Sequence, residues 1–202
     1  MRGNSFAVLA LGMLVLAGCS SAPKAQAPPP QIPKITAPTT PSRTPVMVDR
    51  ALPDDCELVV TAERMNQVLG QELPGEPKLI IGIPEPSVGK TAKIDCYYGI
   101  PPGKELQANA VVVGLSTYVD ELTARERVTE SLEAERQDGS SVTEIDVGKQ
   151  KASMVSGKDQ RLLLGSLGKT TFVVRARPGL LPDDKLPAVL ATLAQQAMTP
   201  PV

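Results

Sequence analysis

The stretch that decides the fold is VTEIDVGKQKASMVSGKDQRLLLGSLGKTTFVVRAR, residues 142–177. It contains four short segments of strand character: VTEIDV, QKASMVSG, QRLLLGSLG and KTTFVVRAR. Glycine-containing turns separate them, a pattern that is typical of strands joined by hairpins. Because strands connected by such short turns run antiparallel, the stretch predicts four consecutive strands of one antiparallel sheet.

Three more strands and a long helix precede this stretch. The strand-like segments KLIIGI, AKIDCYYGI and ELQANAVVVGLSTYV lie within residues 78–119, between Pro and Gly clusters. From Asp120 to about Gln137 the pattern becomes helical, with Asp120 as the N-cap. The apolar stripe of this helix consists of Leu122, Ala124, Val128 and Leu132. We expect the helix to cover one face of the sheet and to expose its charged face to solvent.

Two further helices complete the predicted fold. Thr61 can cap a short helix with the sequence AERMNQVL, and Gly70 follows it as a stop signal. The last helix begins near Asp184, tolerates Pro187 in its first turn and has a strongly amphipathic pattern. The predicted class is therefore α+β: an antiparallel sheet of five to seven strands with two main helices packed on it and a short N-terminal helix.

The N-terminus has the pattern of a lipoprotein signal. After Met1 and Arg2 comes FAVLALGMLVLA, which is shorter than the roughly 20 apolar residues of a membrane-spanning helix. It ends in Leu-Ala-Gly-Cys19, which resembles the bacterial lipobox. The resemblance implies that residues 1–18 are a signal peptide and that Cys19 carries the lipid, including palmitate-type acyl chains. The alternatives are a buried signal residue or a partner for another thiol.

Two acyl chains are enough for durable anchoring, so the predicted location is the extracytoplasmic face of the cell membrane. Residues 19–53 are dense in Pro, Ala and Thr and predict a disordered tether, because they have little apolar surface to bury. A solubilising spacer and a segment that lies near anionic lipid are both compatible with this composition. Residues 54–202 are the length of one globular domain.

The charge of that domain argues against nucleic acid as a partner. The chain has 21 Lys and Arg and 22 Asp and Glu. Five of the basic residues but only one acidic residue precede residue 54, which leaves the domain with a net charge of about −5. Phosphate backbones are bound by basic patches, so we expect no nucleic-acid binding.

Cys56 and Cys96 are the two cysteines of the domain. In an oxidising exterior we expect them to form a disulfide that joins the region of the first helix to the sheet. A redox-active role is the alternative, although the chain has no C-x-x-C spacing.

The sequence offers little catalytic chemistry. It contains no His, so a histidine base or metal ligand is excluded. Ser87–Lys90 and Ser166–Lys169 both match S-x-x-K, but neither is followed by the partner motifs of penicillin-recognising enzymes. No calcium-loop or phosphate-loop pattern is complete. We therefore predict no catalytic residues, no metal and no cofactor.

Aromatic residues make up only 2% of the chain, and none is Trp. The candidates for contact with a ligand are consequently Tyr97, Tyr98 and Tyr118. Positions in the core or on a sheet face are the alternative for all three.

Taken together, these features resemble a known family. A Pro-rich lipoprotein tether, Cys56 before a helix that ends in VLG (68–70), and Cys96 followed by an aromatic strand (CYYG) are similar to the DUF3558 family of actinobacterial cell-envelope lipoproteins. Tyr98 stands where family members often have Trp. The resemblance implies an extracellular sensor-like domain and supplies no catalytic residues.

The function that these observations favour is a lipid-anchored extracytoplasmic binding or sensor-like domain without catalytic activity. Its expected partners are the membrane, through the lipid on Cys19, and a small ligand or an envelope protein. Two alternatives remain open: a carrier of envelope lipid or another hydrophobic ligand, and a wall- or lipid-acting enzyme with a Ser/Lys or carboxylate site.

Overall fold

A computed structural model of the chain describes residues 46–200. These residues form a seven-stranded antiparallel sheet and three α-helices, which confirms the predicted α+β class. The strands are β1 (Lys78–Gly82), β2 (Lys90–Tyr98), β3 (Val111–Tyr118), β4 (Ser141–Val147), β5 (Gln150–Ser156), β6 (Arg161–Leu167) and β7 (Thr170–Ala176). The helices are α1 (Ala62–Leu69), α2 (Glu121–Gln137) and α3 (Leu186–Ala197). Short 3₁₀ turns lie at Cys56–Leu58, Pro86–Val88 and Leu106–Ala108.

The sheet consists of two antiparallel meanders joined at their last strands. Its order is β1-β2-β3-β7-β6-β5-β4, so β1 and β4 are the edges. Two-residue turns connect β4 to β5 and β6 to β7, and each begins with a glycine, Gly148 or Gly168, whose φ is near +60°. Residues other than glycine are disfavoured at this positive φ, so the two glycines make these tight hairpins possible.

Helices cover both faces of the sheet. On the first, α3 packs with α1 over the main core, whose residues include Leu163, Phe172 and Leu190. On the opposite face, which we call the α2 face, Leu132 of α2 packs against Val155, Leu162 and Leu164. Successive residues of a strand point to opposite faces, so Leu162 and Leu163 belong to different cores. The fold therefore has three layers: helices, sheet, helix.

The two predicted N-cap residues, Thr61 and Asp120, cap their helices in the structure. Thr61 Oγ1 accepts a hydrogen bond from the backbone N–H of Arg64 (3.0 Å) and caps α1. Asp120 accepts one from the N–H of Thr123 (2.7 Å) and caps α2. The same hydrogen bond lowers the pKa of Asp120, because it stabilises the carboxylate. The apolar stripe predicted for α2 is wrong at Leu122, which lies in the first turn and is 58% exposed.

Residues 46–53, which composition assigns to the tether, pack on the domain. Met47 is buried in the main core, and Val48 N donates to Met198 O (3.0 Å). Asp49 accepts a hydrogen bond from Thr170 Oγ1 (2.7 Å), and Arg50 Nη1 donates to Ala197 O (3.0 Å). The local composition does not reveal these three hydrogen bonds, because their partners lie more than 100 residues away. Residues 46–53 pack at the end of the sheet that carries the β4–β5 and β6–β7 turns.

None of the helices in residues 46–200 combines the length and apolar character that a membrane span needs. The largest exposed apolar side chains include Ile80, Ile81 and Ile83, on or next to the edge strand β1.

Candidate ligand-binding cleft

A cleft of about 360 Å³ opens at the end of the sheet where α2 stops. Four separate pieces of chain form its walls: the end of β7, the end of α2, the β5–β6 turn and the 3₁₀ turn before β3. The side chains that these pieces contribute are Gln107, Asn109, Glu135, Asp138, Ser140, Lys158, Asp159, Gln160, Arg175 and Arg177. Apart from Gly157 and Ala176, the residues that line the cleft therefore have polar or charged side chains.

Hydrogen bonds to Glu135 hold the frame of the cleft together. Gln160 Nε2 donates to Glu135 Oε1 (2.7 Å), and Ser140 Oγ donates to Oε2 (3.0 Å). One carboxylate on α2 thus fixes the β5–β6 turn on one side and the start of β4 on the other. Charge-assisted hydrogen bonds of this kind are shorter and stronger than neutral ones. The walls around Arg175 are consequently positioned before any ligand arrives.

Two guanidinium groups stand at the end of β7. Arg175 lies on the α2 face, between Val112 of β3 and Leu162 of β6. Arg177 lies just past the end of β7 and lines the same cleft. Both side chains are exposed. None of the salt bridges found in residues 46–200 involves either arginine.

The other charges of the cleft are also unpaired within that part of the chain. Lys158 adds a third cation from the β5–β6 turn, and Asp138 and Asp159 add carboxylates. None of these three groups takes part in a salt bridge there. The cleft thus carries three cationic side chains and, with Glu135, three anionic ones. The guanidinium groups of Arg175 and Arg177 are the part of it that suits a carboxylate or phosphate group.

The three tyrosines lie in different surroundings. Tyr98 is 2% exposed, and its hydroxyl donates to Val60 O at 2.6 Å. Burial, together with the charge of Glu57, raises the pKa of Tyr98 well above its ordinary value. Tyr118 is 6% exposed, whereas Tyr97 is half-buried on the α2 face. Tyr97 is therefore the one of the three that a ligand could reach in this structure.

The disulfide joins Cys56 and Cys96, with their Cα atoms 5.6 Å apart. Cys56 lies in the 3₁₀ turn before α1, and Cys96 lies in the middle of β2. Both residues are buried in the main core. The bridge thus ties the segment that leads into α1 to the sheet. Cys19 lies outside the described residues.

The two S-x-x-K matches lie at the end of the sheet opposite the cleft, near different strands. Ser87 is exposed in a 3₁₀ turn, and Lys90 Nζ lies 2.7 Å from Glu85 Oε1, in an ion pair. The Lys90 hydrogen bond and charge lower the pKa of Glu85. Ser166 lies on β6, and Lys169 lies in the following turn, where its backbone N–H donates to Asp49 (3.2 Å). Neither pair belongs to the cleft.

Within residues 46–200, no three or more Cys, Asp or Glu side chains converge in a way that could hold a metal ion. Asp183, which precedes α3, accepts a hydrogen bond from Nε of Arg161 at 3.0 Å. This hydrogen bond lowers the pKa of Asp183.

Sequence reasoning missed most of the cleft, because its residues come from four distant segments. One signal was available. The sequence RAR at 175–177 follows the apolar run FVV at the end of a predicted strand, and alternation would place both arginines on one face. A pair of exposed cations at a strand end is a reason to look for an anion site there.

No protein family matches the chain, and no curated protein matches it. Among solved structures, the extracellular domain of PknH from Mycobacterium tuberculosis is similar, with 13% sequence identity and a TM-score of 0.45. The similarity covers 76% of this chain and 97% of that one. A likeness this distant assigns no function to the chain.

Proposed function

We propose that the chain is a lipid-anchored, extracytoplasmic binding domain that holds a small ligand with an anionic group in the cleft described above. The observation that carries this proposal is the pair Arg175 and Arg177, exposed in a preformed polar cavity without a salt-bridge partner in residues 46–200. Arginine is well suited to carboxylate and phosphate groups, because its planar fork donates two parallel hydrogen bonds.

The disulfide supports the extracytoplasmic part of the proposal. Disulfides persist in oxidising compartments and are rare where thiols are kept reduced. The bridge between Cys56 and Cys96 is buried in the main core, which is the position of a structural bond. Together with the signal-like N-terminus, it favours a domain that folds after export.

Anchoring through Cys19 has its own test. We expect Cys19→Ala to move the protein from the membrane fraction to the soluble fraction, since the variant has no thiol to accept the lipid. Fractionation of cells that express either form, followed by immunoblotting, measures the change. A variant that stays with the membranes as fully as the wild type would contradict the assignment.

Anion binding is best tested by titrating residues 20–202 with inorganic phosphate and acetate while backbone amide NMR signals are recorded. We expect shifts at the end of β7 and in the β5–β6 turn. Arg175→Gln should weaken them by about tenfold to a hundredfold in affinity, the scale of a hydrogen bond to a charged group.

The matched control is Arg125→Gln, which removes an exposed arginine on α2 that pairs with Glu121 (3.2 Å) outside the cleft. It should leave the titration unchanged. Shifts scattered over the surface, or equal losses in both variants, would mean that the anions respond to general charge, and the proposed site would be wrong.

A further inference from the structure

A second, smaller cavity adjoins the polar cleft at Arg175. It has a volume of about 260 Å³ and shares Gln107, Asn109 and Arg175 with the cleft. The two residues that it adds are Tyr97 and Leu106. Arg175 therefore stands between two compartments of different chemistry, one charged and one with an aromatic ring and an aliphatic side chain.

Strand register fixes the spacing between these compartments. Tyr97 pairs with Val112, and Val112 pairs with Arg175, so Tyr97 and Arg175 lie on the same face two strands apart. Neighbouring strands are about 4.8 Å apart, which places their Cα atoms at roughly 10 Å. A single small molecule can span this distance.

The α2 helix packs mainly on strands other than the one that carries Tyr97. Its apolar contacts are with β5, β6 and β7, where Leu132 meets Val155, Leu162 and Leu164, whereas Tyr97 lies on β2. The ring of Tyr97 is half-buried and so keeps an accessible surface beside Arg175. A tyrosine in such a position offers a rigid apolar face together with a polar tip.

We infer that the ligand is an organic anion whose charged group binds Arg175 and Arg177 and whose apolar or ring portion lies against Tyr97 and Leu106. This inference rests on the proposed function, because it assigns a ligand class to the same cleft. An inorganic anion would bind to the arginines only, and the second cavity would remain filled with water. An apolar group placed there removes tyrosine and leucine surface from water, which adds affinity.

Two sources supply this chemistry: a soluble alkyl or aryl phosphate or carboxylate, and the headgroup region of an anionic lipid. Both present an anionic group joined to an apolar portion. They differ in whether the ligand is bound from solution or at a bilayer surface.

The experiment is calorimetric titration of residues 20–202 with inorganic phosphate and with hexyl phosphate. We expect hexyl phosphate to bind about tenfold tighter or more, from burial of its alkyl chain. Tyr97→Ala should remove this advantage while the affinity for inorganic phosphate stays unchanged. Leu122→Ala, which truncates an exposed apolar side chain elsewhere, is the matched control and should alter neither affinity.

Leu106→Ala provides a second variant if Tyr97→Ala does not fold, since Leu106 lies in a short 3₁₀ turn outside the sheet. Equal affinities for the two phosphates in the wild type would overturn the inference and leave anion binding at Arg175 intact. If the wild type binds neither inorganic phosphate nor hexyl phosphate, both proposals are wrong.

Sedimentation with phosphatidylglycerol vesicles distinguishes the two sources. Co-sedimentation that disappears in Arg175→Gln supports a lipid headgroup as the ligand. Binding of hexyl phosphate without co-sedimentation supports a soluble organic anion.

Discussion

Phe172→Ala is expected to lower the free energy of unfolding by about 3–5 kcal/mol, the usual cost of deleting a large buried ring. Phe172 is fully buried on the α3 side of β7 and lies in the main core. Its cross-strand partner on β6 is Gly165, so the ring occupies the space above a residue with no side chain. Urea denaturation monitored by circular dichroism measures the loss.

Gly165 supplies the matched test of this packing. A Cβ at position 165 would lie 2.8 Å from Cε2 of Phe172 and closer still to Cζ, so Gly165→Ala forces the ring to move. Overpacking of this kind costs about 1–3 kcal/mol. Combining Gly165→Ala with Phe172→Leu should recover part of the loss, because the smaller side chain leaves room for the methyl group. A loss below about 1 kcal/mol in Phe172→Ala would contradict the described core.

Reducing the Cys56–Cys96 disulfide is expected to cost about 4 kcal/mol, the loop-closure entropy of a bridge with this separation. The two residues are 40 positions apart, so the oxidised unfolded chain is much more restricted than the reduced one. Urea denaturation with and without dithiothreitol measures the difference.

The control for this prediction is the double variant Cys56→Ala, Cys96→Ala. It should be as unstable as the reduced wild type and should not respond to dithiothreitol. If a thiol reagent labels the denatured, unreduced wild type at Cys56 or Cys96, the bridge does not form and the prediction is wrong.

The strands and helices could be predicted because their signals are local. Each hairpin of the last four strands is marked by a glycine, and α2 begins directly after Asp120, whose carboxylate caps the first turn. The order of strands could not be predicted in the same way. It depends on the pairing of β3 with β7, which joins residues near 114 to residues near 173 across α2 and three strands. No short segment of sequence encodes such a contact.

The cleft shows the same limit more strongly. Glu135, Gln160 and Arg175 look like an exposed helix residue, a turn residue and a strand residue, and nothing in their neighbourhoods links them. Folding brings them to one end of the sheet, and the hydrogen bond between Gln160 and Glu135 then aligns two of the walls. Tyr97 lines the second cavity, and its role as a ligand contact, which residue type suggests, stays a prediction.

The segment that contains Met47 and Asp49 packs at one particular end of the strands. It enters at the β4–β5 and β6–β7 turns, whereas the cleft opens at the β5–β6 turn, at the other end of the strands. Seven residues of β6 separate the two ends, which is about 20 Å. The point where residues 46–53 join the domain and the mouth of the cleft therefore lie at opposite ends of the sheet. A pull on the N-terminal side would first load the hydrogen bond between Val48 and Met198 and then the one between Asp49 and Thr170, at the end of the sheet away from Arg175.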